Sequence, residues 1–504
     1  MIKRSLFNIS HKKLLSCNMG ELVPLTIMDV TAGDVFRHDT SLLIRTQPLL
    51  APIMHKVDAS IHHFFVPIRL IWDDFGDFLS GGSDGLQAPT PPTVDLSWSA
   101  GSPPTGTGVI GGLADYLGCP TGIDGLTVSA LPFRAYDLIV NNFYLDTQLD
   151  TPLTISTASG ADTTTSLTLQ NGRWNKDYFT SARPSPQLGN EVSIPLVGDA
   201  PVSGIGKFNQ NYGSTSQAVY ETDGTSTTTY ADAQSIDSND DNTFYVEEDP
   251  NNSGYPNIRA DLEGVSGVQI EDLRLSSALQ RWKEKMNNFG TRFPEFLHSV
   301  FGVKPQDQRL QIPEYVGGGS GTIQFSEIPQ TAEGTAPVGE LRGHGINTTR
   351  SNRYKYHAQE PGFIISLLCV RPKTVYTQGL NKLWSRTTKY DYLLPDFSHL
   401  GDQEVLNKEV YASHTTPDGI FGYVPRYDDF RFIPNSVAGE FRDTLDFWHM
   451  ARIFASDPAL NSDFVKCNPT DRVYATDADQ LQINAIHNVR VKRLLPKYSN
   501  PRLL

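Results

Sequence analysis

The chain has 504 residues, only 19% of them charged, with 41 Gly, 33 Pro and a formal net charge of −14. That length can bury a sizeable core, and the abundance of Gly, Pro, Ser and Thr points to a loop-rich β protein and away from a helical bundle. Cys17, Cys119, Cys369 and Cys467 stand far apart with no CxxC pair, which argues against a zinc ribbon and a disulfide framework.

No apolar run reaches the roughly 18 residues of a membrane span, and residues 1–20 lack the apolar centre of a signal peptide. The expectation is a soluble protein made in cytoplasm. Its charge is unevenly distributed. From Glu191 to Asp272 fifteen acids face only Lys207 and Arg259, so this segment carries −13, while both ends are basic.

In chain order, residues 1–20 form a basic N-terminal arm, expected to be mobile or draped over a neighbour. Leu22–Val30, Val35–Thr46 and Val57–Val66 are apolar, β-branched or alternating and predict strands with one wet face. Residues 81–125 are Gly, Pro, Ser and Thr with few apolar anchors and predict a long surface loop. Tyr136, Ile139, Val140 and Phe143 predict a short helix within Leu131–Leu149. Residues 191–270 form an acidic loop insertion, lowest in apolar content between Pro201 and Gly264.

The longest helical pattern follows. Leu275, Leu279, Trp282, Met286 and Phe289 share one stripe, with Glu271 and Asp272 at the start and Gly290 at the end, and this stripe is expected to pack on the core. A second helix is predicted from Pro294 to Gly302, then a flexible turn at Gly317–Gly321. Arg353–Arg371 predicts two strands about Pro361-Gly362, the second buried on both faces over Phe363–Val370. A helical piece near Thr444–Phe454 and a basic tail over residues 480–504 complete the chain.

A search for chemistry finds little. Gly81-Gly82-Ser83-Asp84-Gly85 fits GxSxG but lacks the strand before and helix after that expose a nucleophile. The run at Gly317 has no Lys to reach a phosphate. Asp237, Asn239, Asp241, Phe244 and Glu248 fall at calcium-loop spacing, yet Asn242 replaces the required Gly and no amphipathic helices flank them, so an acid-rich loop and a calcium loop both remain open. His62 and His63 are neighbours in a predicted strand and must point to opposite faces. Asp446 and His449, beside Trp448, suggest a hydrogen-bonded corner. No catalytic, cofactor or metal residue is expected. The basic ends, Lys3, Arg4, Lys12, Lys13, Arg490, Lys492, Arg493, Lys497 and Arg502, are candidates for contact with DNA phosphates; a solvated tail or ion pairs to a neighbouring subunit would explain the same charges.

The order and spacing of several strings resemble the major capsid protein of the microviruses, especially the gokushovirus branch. They are Glu21-Leu22-Val23-Pro24, Gly33-Asp34 and Phe64-Phe65-Val66-Pro67 through Trp72-Asp73, then Asp307-Gln308-Arg309-Leu310-Gln311, Pro313-Glu314-Tyr315 and Gly317-Gly318-Gly319-Ser320, and Gly422–Asp429 with Pro458-x-Leu460-Asn461. The chain departs from the family at Arg183 and Ser185, where an apolar residue and a tryptophan are usual.

The resemblance implies a mainly β fold, a viral jelly-roll β-sandwich with long loop insertions and a few short helices. It implies a structural role in the virion: many copies in a small T=1 icosahedral shell around single-stranded DNA, made in a bacterial host's cytoplasm. Implied partners are the chain itself, packaged DNA, a small basic DNA-binding protein, a minor pilot protein, an internal scaffolding protein and a host surface receptor, with no membrane. The acidic insertion would project outward near the threefold axes, and Pro313, Glu314, Tyr315, Gly317, Gly318 and Gly319 would lie at a subunit contact. A glycan-binding β-sandwich surface protein is the alternative for the same composition.

Overall fold

The computed structural model describes residues 4–193, 270–329 and 341–497, together with the backbone of four short strands, Val202–Ser203, Gln217–Thr222, Thr227–Ala233 and Arg259–Ala260. The chain divides into two compact units, Met1–Leu188 with Glu284–Leu504, and Gly189–Lys283. The calcium-spaced acids from Asp237 to Glu248 and most of the acidic insertion lie outside the described residues.

The larger unit is built on a ten-stranded antiparallel sheet. Its strands are β1 (Ser5–Asn8), β2 (His11–Cys17), β3 (Leu22–Val30), β4 (Val35–Thr46), β5 (Val57–Pro67), β6 (Glu314–Pro329), β7 (Leu341–Arg350), β8 (Tyr354–His357), β9 (Gly362–Pro372) and β10 (Leu481–Arg493). They run in the order β1-β10-β4-β7-β6-β5-β9-β3, with β8 beside β4 and β2 beside β10. Period-two patterning decides which side is wet. On β4, Phe36, His38, Thr40, Leu42 and Ile44 are buried, while Arg37 and Arg45 in the alternate phase are exposed and Asp39 in that phase is buried.

The sheet curls because β6 serves two layers. Its second part, Gln324–Pro329, pairs with β7, and its first, Glu314–Ile323, pairs with β5. The halves then face each other across one core: Leu42 and Ile44 of β4 and Ile483 and Ala485 of β10 join Val57, Ala59 and Ile61 of β5 and Leu368 and Val370 of β9. Each such aliphatic side chain, fully buried, contributes about 1.5–3 kcal/mol. This is the curled, mainly β sandwich that a jelly roll requires.

Strand β9 is buried on both faces, as its continuous apolar run predicts. Its second face, Phe363, Ile365, Leu367 and Cys369, is covered by helix α3 (Leu131–Phe143) through Phe133, Tyr136, Ile139 and Val140. Arg134, on the same helix, is wholly buried and donates to Asp162 at 2.8 Å, Ile71 O at 2.9 Å and Ala158 O at 3.0 Å. One side chain thereby fixes two loops on the helix.

Several elements differ from expectation. Residues 5–17, read as an arm, are strands β1 and β2, and most of the tail is strand β10, because Ile483, Ala485, Val489 and Val491 alternate into the core. Residues 81–125 supply buried anchors, Val94 and Leu96 from a short strand and Leu113, Ala114 and Tyr116 from helix α2 (Leu113–Leu117). The glycine run is no turn; it lies inside strand β6. The piece at 444–454 holds only a 3-10 turn at Asp446–Trp448.

The two predicted helices after the insertion form, as Ile270–Phe289 and Phe293–Phe301, the second ended by Gly302 in the left-handed region. On the first, however, only Met286 of the apolar stripe is buried; Leu275 is 66% exposed, and Leu279, Trp282 and Phe289 are exposed too. Among the described residues no helix is long and apolar enough to cross a membrane.

Candidate assembly and nucleic-acid surfaces

Among the described residues, the motifs with possible chemistry resolve into structure. Helix α1 (Phe75–Ser80) ends at Gly81 with φ 80°, so Ser83 follows a helix instead of a strand, the reverse of a nucleophile elbow. His449 accepts at Nδ1 from Ala451 N at 3.1 Å and contacts Phe441 O through Nε2 at 2.7 Å, while Arg472 spans the corner. Among the described residues no group of three or more His, Cys, Asp or Glu is arranged to hold a metal.

His62 and His63 point to opposite faces, the first against Tyr144 Oη at 2.6 Å and the second against Ser366 Oγ at 2.7 Å. His63 belongs to a polar layer inside the sandwich. His38 of β4 and His487 of β10 meet there at 3.3 Å between ring nitrogens; Thr40 Oγ1 reaches His487 Nδ1 at 2.9 Å, and Tyr354 Oη reaches His38 Nδ1 at 2.9 Å. The His38 and His63 rings lie 4.8 Å apart, and His11 stacks on His487 at 4.8 Å. Burial, followed by the neighbouring imidazoles, pushes His38, His63 and His487 down to about 3 each. His38, His63 and His487 are neutral and each hydrogen-bonds through Nδ1, while Nε2 of His63 and of His487 is buried without a partner; among the described residues no carboxylate faces into the layer.

The basic residues singled out in the sequence separate by strand parity. Lys13 and Arg493 are occupied inside the chain: Lys13 Nζ donates to Pro24 O at 3.0 Å and to Tyr116 O, and burial lowers it to about 8. Arg493 donates to Asp34 at 2.8 Å and Asp29 O at 2.7 Å. Lys12, Arg490 and Lys492 stand exposed on the outward face of the sheet, and Arg4 and Lys497 are exposed near its edges. Lys3 and Arg502 lie outside the described residues.

Charge counting at the termini missed the cations that β4, β7 and β8 add to this face. Arg37 of β4 sits in register with Arg490 on one side and Lys355 of β8 on the other. Arg350 and Arg353 converge on Asp39, at 2.7 Å and 2.9 Å, and Asn488 also donates to it. The available signal was period two: Arg37 and Arg45 fall on the polar phase of a strand that the sequence already predicts.

The candidate subunit-contact residues sit mostly inside the fold. Pro313 is buried, and Glu314 accepts from Tyr356 Oη at 3.1 Å. A Cβ on Gly318 would stand 2.5 Å from Ile61 O, and one on Gly319 would stand 2.8 Å from Ser351 Cα; Gly317 lies against Tyr354. Of the set only Tyr315 is substantially exposed. A larger apolar surface lies elsewhere. Leu383, Trp384, Tyr390, Tyr392 and Leu393 are exposed beside Phe430, Phe432 and Ile433, with Trp384 at 77% and Ile433 at 85%. Arg386 ties the two segments, paired with Asp429 at 2.6 Å and stacked 4.2 Å over the Phe430 ring.

Comparison with known proteins covers the whole chain. Residues 1–503 match the family model described as Capsid protein (F protein). Capsid protein VP1 of Chlamydia phage 1 is 32% identical, with 100% of this chain and 96% of the relative covered; that of Spiroplasma virus 4 has the same identity and coverage. Capsid protein VP1 of Bdellovibrio phage phiMH2K is 32% identical over 93% of this chain and 89% of its own. Nothing here supports the glycan-binding alternative, and a curled sandwich with core-buried histidines and sterically required glycines accords with a structural part. The chain belongs to the phage F capsid protein family and is a structural major capsid protein.

Proposed function

We propose that many copies of this chain close into a small T=1 icosahedral shell around single-stranded DNA, placing the protein in the virion after synthesis in a bacterial host. The observation that carries the self-assembly reading is the apolar surface of Leu383–Leu400 with Phe430–Ile433. Contiguous exposed apolar area on this scale marks a protein contact more often than free surface. Closed assembly needs such area on a rigid wedge, and the sandwich supplies the wedge while the loops supply the area. A small basic DNA-binding protein, a pilot protein, an internal scaffolding protein and a host receptor fit the same reading, with the acidic insertion as the outward, host-facing segment.

Purified protein examined by sedimentation and electron microscopy should contain shell-sized particles, and Trp384→Asp with Ile433→Asp should leave folded subunits that sediment slowly. A wild-type protein that stays monomeric across salt and concentration would overturn the proposal.

A further inference from the structure

The outward face of β8, β4, β10 and β1 concentrates positive charge that the fold leaves uncompensated. Lys355, Arg37 and Arg490 form one row across three neighbouring strands, and Lys492 follows on the next row beside Leu6 of β1. All four are exposed, and among the described residues none has a hydrogen-bond or ion-pair partner. Like charges directly opposite on antiparallel strands repel, so this arrangement costs stability in the isolated subunit. Asp39 is the lone carboxylate at the outward positions of these strands, and Arg350, Arg353 and Asn488 already hold it. Elsewhere the chain neutralises its arginines, as Arg134 with Asp162 and Arg173 with Asp150 show.

We propose that this face is a sequence-independent binding surface for the phosphate backbone of single-stranded nucleic acid, centred on the Lys355–Arg37–Arg490 row. The geometry suits a backbone better than a compact anion. Adjacent strands stand about 4.8 Å apart and same-face rows recur about every 6.8 Å along them, which gives a flat grid of cations. Arginine also presents a planar fork to phosphate oxygens. Among the outward residues of these four strands no Phe, Tyr or Trp stands exposed and His357 of β8 is the single exposed ring, so the face offers phosphate contacts with little surface for stacking bases. The inference rests on the shell reading only for the identity of the polyanion.

The test uses the full chain with a twenty-residue oligothymidylate, followed by fluorescence anisotropy from low to high salt. Arg37→Gln, Arg490→Gln and Lys355→Gln together should weaken binding at least tenfold at low salt. Single-stranded binding loses about 0.7 in the slope of log affinity against log salt per phosphate contact, so the slope should fall by about 2. Lys304→Gln, Arg309→Gln and Lys389→Gln, exposed cations outside these four strands, serve as the charge-matched control and should change the slope little. Equal losses in the two triples, or an unchanged slope in the first, would overturn the proposal. Particle formation is scored separately by sedimentation: shells that form with an unchanged slope refute this surface alone, whereas loss of the slope in a protein that never forms shells refutes the shell and leaves the surface standing.

Discussion

Protonating the histidine layer should unlock the sandwich from within. In the unfolded chain His38, His63 and His487 take up protons near pH 6.5, whereas in the fold burial and mutual repulsion hold them neutral to about 3. A group whose folded pKa is depressed in this way contributes stability that is complete above 6.5 and is lost as the pH falls toward 3. At pH 5 each imidazole costs about 2 kcal/mol relative to pH 8, from the 1.36 kcal/mol per pKa unit of linkage. Three sites together set an upper end of about 6 kcal/mol, against a total domain stability of about 5–15 kcal/mol. The charges around the layer act in both directions: Lys13 of β2 lowers His487 further, whereas Asp39, the nearest carboxylate, on the opposite face of β4, raises His38 and offsets part of its depression. Acid also relieves Asp137, which burial pushes up to about 8, and that contribution has the opposite sign. The measurement is therefore a difference. Urea unfolding of wild type and of His63→Gln at pH 7.5 and pH 5.0 should show wild type losing about 2 kcal/mol more than the variant on acidification. His399→Gln, at an exposed position, should track wild type. If His63→Gln and wild type lose the same stability, the imidazole does not titrate against the fold and the reasoning fails.

Other consequences follow from packing. Gly318→Val places a Cβ 2.5 Å from Ile61 O, so the variant should lose soluble yield and lower the melting temperature of the subunit itself; normal folding with only assembly impaired would show that the glycine serves a contact between copies. Arg134→Met strands the Asp162 carboxylate in the interior and should cost about 3–5 kcal/mol by urea unfolding, and a loss below about 1 kcal/mol would mean that water reaches the site. Deleting residues 201–264 should leave particles that sediment like wild type but bind host cells poorly; failure to assemble would make the insertion a subunit contact.

Strand β9 and helix α3 were legible because continuous burial and a single apolar stripe leave direct marks on residue order. The glycine run was not. Missing side chains look like freedom in a sequence, but at Gly317, Gly318 and Gly319 they mark close approach by Tyr354, Ile61 and Ser351, partners that only the fold brings near. The segment at 444–454 has helical apolar spacing yet makes one 3-10 turn. Arg472 explains it by donating to the carbonyls of Asp446, His449 and Ala451, acceptors that a continuing helix would have used itself. A long-range cation thus competes with local hydrogen bonding, and no window of sequence contains both partners.

The basic ends show most clearly how linear reading and folded reading diverge. Counted along the chain, Arg490, Lys492 and Arg493 are equivalent members of a tail. On a strand they are not: Arg493 turns inward to Asp34, while Arg490 and Lys492 turn outward beside Arg37. The alternation Ile483, Ala485, His487, Val489, Val491 outweighs composition, because a period of two over nine residues is a statement about faces and net charge is not. The same parity that buries one face of β10 collects the cations on the other. Whether they act is then a question about a sheet face, and mutating the termini as a block would have mixed residues that hold the sandwich together with residues free to meet a phosphate.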